Sequence, residues 1–531
     1  MNNSLIFQPA NEDIKAQNVQ YVKHVPNNGN SFKNTNDFIE FRISPSYGVF
    51  IDPAEITLNI TSKFKVKQTV NPAGGNPVED GYYLYGSGAG ANAFINKLEV
   101  RCGPEVLESI THYNRVYANQ QQLYLNNYQG MTLLSCQDPL VCGIGVKDWQ
   151  PARSSGAVLS PKIGVVGSAG ALAEYETGSF TSSIALNLSD VIGPNARKFL
   201  PIHYLKNDIT VRIYLESNVE NIISGSNING TATLAKINRS YDSAEYTITN
   251  VSLQCKQITF DDATLKAVEQ SIGGREVVWN GSQLVASEVS YQTGGDVRLI
   301  VPNAQYANVI DVGFSIFNSV SSKSLDNLLL SFGCGLYQYQ LMIDGENYPE
   351  RPVGINNPAL VEQSIPQMAM QLMDLGRKAA QIEDNKTQLL VTQHGFKNNT
   401  KFSHYGFSNN DGVRVPSKNP GNGGASGAQM ALPTGPNDLI DYTAPNPLIG
   451  YNYTRAVQPF YFQMAFNLRH FETASRMARG VDTRGKEMVL RLIQPPLTYS
   501  NADKLRVMTT INAGCQYILD VSNGLLRRSF D

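Results

Sequence analysis

Apolar and polar residues alternate along many short stretches of this chain. DFIEFRI (Asp37–Ile43) does so, and in EITLNITSKFKV (Glu55–Val66) the beat falls on Ile56, Leu58, Ile60, Phe64 and Val66. SFTSSIALNLS (Ser179–Ser189), DITVRIYLES (Asp208–Ser217) and EYTITNVSLQCKQITF (Glu245–Phe260) follow. In the second half come REVVWNG (Arg275–Gly281), DVRLIVP (Asp296–Pro302), YANVIDVGFSIFNSV (Tyr306–Val320), NLLLSFGCGLYQYQLMIDG (Asn327–Gly345), AVQPFYFQMAFNLR (Ala456–Arg469), KEMVLRLIQ (Lys486–Gln494) and KLRVMTTINAGCQYILDVS (Lys504–Ser522). A period of two over such lengths predicts half-buried strands, since successive side chains point to opposite faces.

Helical spacing is scarce. After Thr111, a candidate N-cap, residues Tyr113, Val116, Tyr117, Leu123 and Tyr124 form an apolar stripe. DDATLKAVEQSI (Asp261–Ile272) predicts a short connector ending at Gly273-Gly274. A third helix opens at Asn357-Pro358 with Val361, Ile365, Met368, Leu372 and Leu375 on one face, and Pro366 bends or splits it.

One device occurs twice. A strand, a turn at Gly103 and a helix after Thr111 match a strand, a turn at Gly345 and a helix from Asn357; the glycines lie 242 residues apart and the helix starts 246. Each copy precedes a long stretch without pattern, about 127–180 and about 386–450, the second holding SKNPGNGGASGAQMALPTGPND (Ser417–Asp438). Two β-rich halves of like order predict two sandwiches or barrels. The boundaries expected are an N-terminal arm 1–18, a first domain 19–262, a second 263–522 and a C-terminal tail 523–531. Loops of this length need partners to order them. If the sandwiches stand side by side, both loops rise from one end.

The chain has 531 residues, 42% hydrophobic and only 17% charged. That suffices for two large cores. A formal net charge of −2 argues against a general nucleic-acid binder, which needs a basic excess. No apolar run reaches a membrane span, and MNNSLIFQPANEDIKAQ lacks a basic region followed by an apolar one, so no secretory signal is expected. Cys102, Cys136, Cys142, Cys255, Cys334 and Cys515 show no Cys-x-x-Cys pair and read as reduced thiols.

Catalytic signatures are missing: no His-Glu-x-x-His, no phosphate-binding Gly-x-x-x-x-Gly-Lys, no Gly-x-Ser-x-Gly. GSGAG (Gly86–Gly90) and GNGGASG (Gly421–Gly427) read as turns. His24, His112, His203, His394, His404 and His470 show no ligand spacing, and Trp149 and Trp279 read as fillers of core or interface pockets. No catalytic, cofactor-binding or metal residue is expected, and no cofactor or small-molecule substrate.

Three stretches resemble the double jelly-roll major capsid proteins of icosahedral double-stranded DNA viruses, above all those of polinton-like viruses and virophages. They are AFINKLEVRCGPEVLESITHYNRVYANQQQLYLN (Ala93–Asn126), SIALNLSDVIGPNARKFLPIHYLKNDITVRIYLESN (Ser183–Asn218) with its corner Phe199-Leu200-Pro201, and YQYQLMIDGENYPERPVG (Tyr337–Gly354). The resemblance implies an all-β chain of two tandem eight-stranded jelly-roll sandwiches, each with one short helix, and with long inserted loops forming towers. It implies a homotrimer of pseudo-hexagonal outline that tiles an icosahedral shell of a virion. Implied partners are neighbouring trimers, penton and minor capsid proteins. An inner membrane or packaged DNA is a further candidate, reached through the arm 1–18 and the tail with Arg527-Arg528; a disordered end or a contact with a neighbouring subunit is the simpler expectation for that tail. Two other readings stay open: a glycan-binding or glycan-cleaving protein built on two β-sandwiches, and a minor virion component such as a vertex protein.

Overall fold

The structure, a computed structural model, describes residues 16–35, 38–67, 82–86, 90–116, 162–163, 172–183, 199–227, 243–291, 297–302, 304–318, 338–354, 463–468, 471–473, 476–493 and 505–530. The strands of the first half are β1 (Ala16–His24), β2 (Ser31–Lys33), β3 (Ile39–Ile43), β4 (Val49–Lys67), β5 (Tyr82–Gly86), β6 (Ile95–Cys102), β7 (Glu105–Ile110), β8 (Lys162–Ile163), β9 (Leu172–Ser183), β10 (Ile209–Leu215), β11 (Ile223–Asn227) and β12 (Ser243–Phe260). The helix α1 (Asp262–Ile272) follows. Then come β13 (Glu276–Tyr291), β14 (Val297–Ile300), β15 (Val309–Asn318), β16 (Gln338–Ile343), β17 (Glu346–Gly354), β18 (Gln463–Asn467), β19 (Phe471–Thr473), β20 (Arg476–Arg479), β21 (Met488–Ile493), β22 (Leu505–Asp520) and β23 (Leu525–Ser529).

The sheets of the two halves share one plan. In the first half one sheet runs β1-β12-β4-β9 and the other β3-β10-β6-β7. In the second they run β13-β22-β15-β18 and β14-β21-β16-β17. Counting these strands in chain order within each half, both sandwiches read first-eighth-third-sixth and second-seventh-fourth-fifth. That is the jelly-roll order, and it occurs twice.

The alternation read from the sequence supplies the two inner faces. Along β10, Ile209, Val211, Ile213 and Leu215 are buried, while Thr210, Arg212 and Tyr214 are only half-buried. Phe41, Leu98 and Val100 join them from the same sheet, and Ile56, Leu58, Ile60, Ile248 and Leu253 face them from the other. In the second sandwich Phe314 and Tyr339 both meet Phe466 edge-on, at 5.9 and 5.6 Å between ring centres. Each such fully buried side chain stabilises the fold by about 1.5–3 kcal/mol.

The repeated turn is the hairpin between the fourth and fifth strands of each sandwich. Gly103 holds φ +58° and precedes Pro104; Asp344 and Gly345 hold φ +53° and +83°. The place is the same and the turn chemistry differs, which is why few identities mark the repeat. A second repeated device is an isolated antiparallel bridge. Ile51 and Leu200 exchange backbone hydrogen bonds at 2.9 and 2.7 Å, and Val309 and Val481 do so at 2.8 and 3.0 Å. Leu200 is the centre of the Phe-Leu-Pro corner. Its counterpart Val481 has no such motif, and the sequence did not reveal it.

Three connections of the first sandwich leave from one end. Lys67 of β4 lies opposite both Ser243 of β12 and Leu172 of β9. From that end the segments containing β5, β8 and β11 meet as a small sheet in the order β11-β5-β8. So insertions do gather at one end of the first sandwich. Several sequence expectations need correction. Ala16–Asn18, expected in the arm, already belong to β1; Leu172–Gly178, expected in the long loop, belong to β9 together with Ser179–Ser183 of the expected strand, and β9 pairs with β4. The pattern there is carried by Glu, Tyr, Thr and Gly rather than by aliphatic residues. The tail 523–531 contains β23, which pairs with β22 over Gln516–Asp520 and is not a free end. The helix expected from Asn357, Cys136, Cys142, Cys334, Trp149 and the loop 386–450 lie outside the described residues. The connector helix α1 stands as expected, with the Asp261 carboxylate accepting from the Thr264 N–H at 2.7 Å.

Gly480 precedes the Val481 bridge, and a Cβ there would lie 1.8 Å from the Val309 carbonyl oxygen. That neighbour is backbone held by two hydrogen bonds and cannot yield cheaply. Gly480→Ala is expected to lower the unfolding free energy by about 1–3 kcal/mol, measured by urea denaturation; an unchanged midpoint would contradict the close approach.

Candidate assembly interface

The fifth strand of each jelly roll ends its sheet, so one row of backbone groups on it has no ladder partner. In the first sandwich that strand is β7, and the second sandwich closes it. The Leu107 carbonyl accepts from the Tyr517 hydroxyl at 3.2 Å and from Arg528 Nη1 at 2.8 Å. The Ser109 carbonyl accepts from Gln283 Nε2 at 3.5 Å. Burial holds the Tyr517 phenol well above its usual pKa, so it stays a donor. In return Thr111 Oγ1 donates to the Ala286 carbonyl at 2.7 Å, and the Gly524 carbonyl accepts from the Lys206 N–H at 3.0 Å.

This corrects the expected role of Thr111. Its hydroxyl is spent across the junction instead of capping the helix. Residues 113–116 are helical, and the turn is closed by N–H groups of Arg115 and Val116 donating to the His112 carbonyl. Tyr113 and Val116 are buried as their spacing predicts. Tyr117, Leu123 and Tyr124 lie outside the described residues.

Apolar burial is continuous through the junction. One buried cluster includes Leu107, Ile110, Tyr113 and Val116 on the first side, and Val277, Trp279, Ala286, Phe317, Met508 and Tyr517 on the second. Trp279 stacks on Tyr517 at 15° and fills an interface pocket, as its type suggested.

Above this cluster sits a small ionic group. Arg115 Nη1 donates to Glu288 Oε1 at 2.6 Å, and its guanidinium lies 5.6 Å from the Phe317 ring centre. His112 Nδ1 is 3.5 Å from Glu288 Oε2. Burial lowers the His112 pKa; Glu288 opposes that shift, and Arg115 adds to it. His112 is therefore neutral near pH 7.

A second charged array lies on the outer face of the first sandwich. Arg212 stands opposite Glu40 on one side and Glu99 on the other. It donates to Glu40 at 2.8 Å, Arg42 reaches the same carboxylate at 3.1 Å, and Lys97 and Arg101 hold Glu99. Burial by itself would raise both glutamate pKa values, but these hydrogen bonds hold them below the usual range. The clue in the sequence was opposite charge on the polar beats of EFR, KLEVR and VRI, which becomes a ladder only once the strands are in register.

The remaining candidate residues are structural in place. His203 Nδ1 accepts from the Gly48 N–H at 2.9 Å, and its Nε2 lies 3.5 Å from Glu269 of α1. His24 lies in β1, while His394, His404 and His470 lie outside the described residues. Cys102, Cys255 and Cys515 are buried thiols, and burial raises Cys102 to about 11 and Cys255 to about 12. Among the described residues no group of three or more His, Cys, Asp or Glu could hold a metal ion, and no helix is long and apolar enough to cross a membrane.

No family model and no curated relative matches the chain. Solved structures do. A chain of the Sputnik virophage, solved by cryo-electron microscopy, superposes with a TM-score of 0.55 at 11% identity, covering 98% of this chain and 91% of that one. The fold is the double jelly roll. The mavirus major capsid protein (TM-score 0.48, 10% identity, 98% and 92% covered) and the Faustovirus major capsid protein (0.43, 9%, 96% and 92%) also match, at lower scores. For this double jelly roll, identity near one in ten means that topology and not side-chain identity carries the likeness.

Two variants test the junction. Glu288→Ala leaves the buried Arg115 without its carboxylate and is expected to cost about 3 kcal/mol in urea unfolding. The lowered pKa of His112 means that the unfolded chain binds its proton first as pH falls. Its contribution is present above about pH 6.5 and is lost as the pH falls from there through the lowered folded-state value. Wild-type stability should therefore fall between about pH 7 and pH 5 more steeply than that of His112→Gln; equal slopes would remove His112 from the account.

Proposed function

We propose that this chain is a major capsid protein, a structural subunit rather than a catalyst, that assembles as a homotrimer into the shell of an icosahedral double-stranded DNA virus. The observation that carries the reading is the pairing of two sandwiches of identical strand order through an edge-on-face junction. Such a contact uses different surfaces on its two sides, and repeated between chains it closes into a ring or runs on as a filament. A ring of six sandwiches needs three chains. Its outline is nearly hexagonal although its symmetry is threefold, and hexagonal tiles cover a flat facet.

The domain division follows the same logic. The first jelly roll then runs from about 16 to 260 and the second from about 276 to 529, with α1 between them, in place of the 19–262 and 263–522 read from the sequence. This reading assigns the towers to the long insertions, about 127–171 and 386–450, standing together on one face of the trimer. The subunit then functions in the virion, and its partners are copies of itself, penton and minor capsid proteins. An obligate trimer seam should bury well above roughly 2,000 Å².

The expected result is a trimer in multi-angle light scattering of the purified protein, with six-cornered particles in negative-stain images. A stable monodisperse monomer across the accessible concentration range would overturn the proposal.

A further inference from the structure

The junction inside the chain has an unmatched counterpart on its own surface. The isolated bridges set the equivalence. Ile51 lies opposite Gln257 of β12, and Val309 lies opposite Ala513 of β22. Gln257 in turn faces Gln20 of β1, and Ala513 faces Gln283 of β13. Gln20 therefore matches Gln283. Counting along both strands, Val19 matches Ser282, Tyr21 matches Leu284, Lys23 matches Ala286 and Val25 matches Glu288.

The β13 members of these pairs are buried or engaged, most of them by the first sandwich. Ser282 is buried and Leu284 packs against the shared core. Gln283 reaches the Ser109 carbonyl, the Ala286 carbonyl takes the Thr111 hydroxyl, and Glu288 holds Arg115. The β1 members are exposed in the single chain. Val19 is 50% exposed, Tyr21 63% and Val25 62%. These are three of the seven large hydrophobic residues exposed among the described ones; Val19 and Tyr21 lie on β1, Val25 continues the same beat one residue past its end, and exposed Lys23 stands between them.

We infer that the stripe Val19–Tyr21–Val25, along β1 and just past its end, seats the second sandwich of another copy, which enters edge-on as the first sandwich enters the second within one chain. The inference rests on the trimer reading above and names its seam. The entering edge is β17. The pair Cys102–Glu105 flanks the first hairpin turn and Ile343–Glu346 the second, while Leu98–Ile110 and Tyr339–Val353 are the matching pairs further along. By that register Pro352 takes the place of Ser109, and Gly354 that of Thr111.

The two seams differ in chemistry. Val25 stands where Glu288 stands, so the seam between chains lacks the carboxylate that anchors Arg115 and His112 within the chain. Apart from the exposed Lys23 ammonium, it is an apolar seat. Salt screens charge pairs, with a Debye length of about 3 Å at 1 M, and does not weaken apolar burial.

The test joins Lys23→Cys and Gly354→Cys in the full chain and treats it with a short bis-maleimide. The expected product is a covalent trimer on a denaturing gel, absent from either single variant. Separately, Tyr21→Glu and Val25→Glu should convert the wild-type trimer to a monomer with an unchanged circular dichroism spectrum, because both residues are exposed in the single chain. The wild-type trimer should persist in about 1 M salt. A wild-type trimer that survives both glutamate variants, or gives no linked species in the double-cysteine chain, overturns this seam and leaves the capsid reading standing. Dissociation by salt overturns its apolar character. A monomeric wild type overturns both.

Discussion

A jelly roll has an open edge, and most of what distinguishes this molecule follows from how that edge is closed. The carbonyls of β7 cannot be left dry and unpaired, since an unsatisfied buried acceptor costs about 1–3 kcal/mol. The second sandwich supplies Tyr517, Arg528 and Gln283 to them and places Trp279, Phe317 and Met508 behind. The two halves are consequently one apolar body with polar groups setting the register. Removing either half would expose both a strand edge and a hydrophobic face, the combination that makes edge strands pair promiscuously.

Burial and charge do different jobs here. The continuous cluster through Leu107, Tyr113, Trp279 and Tyr517 provides the driving force and is indifferent to small displacements. The Arg115–Glu288–His112 group and the ladder Glu40–Arg212–Glu99 add less net energy, because desolvation opposes them. They are directional, however, and a shifted register would strand a carboxylate under an arginine that no longer reaches it. The exposed pair Arg527–Glu276 belongs to a weaker class, screened by solvent on both sides.

Much of this was legible in the residues. Alternation placed β3, β4, β10, β12 and β21, because on an aliphatic strand the inward and outward positions differ visibly. Gly103 and Gly345 marked the equivalent hairpins, and Asp261 with Gly273 bounded α1. Where alternation was carried by other residues it misled. The start of β9 over Leu172–Gly178 and β23 over Leu525–Ser529 read as loop and tail, and their strand character comes from the partner that pairs them. Thr111 looked like a cap because its type and position suit one; only the nearby Ala286 carbonyl redirected its hydroxyl.

By itself the sequence determined local geometry: which residues alternate, where the chain must turn, and that one plan occurs twice. Those follow from neighbours a few positions apart. Tertiary structure alone decided which edge meets which face, that Val481 repeats the bridge of Leu200, and that Glu40 and Glu99 share one arginine. Each depends on residues brought together from more than a hundred positions away, and no local period records such a meeting.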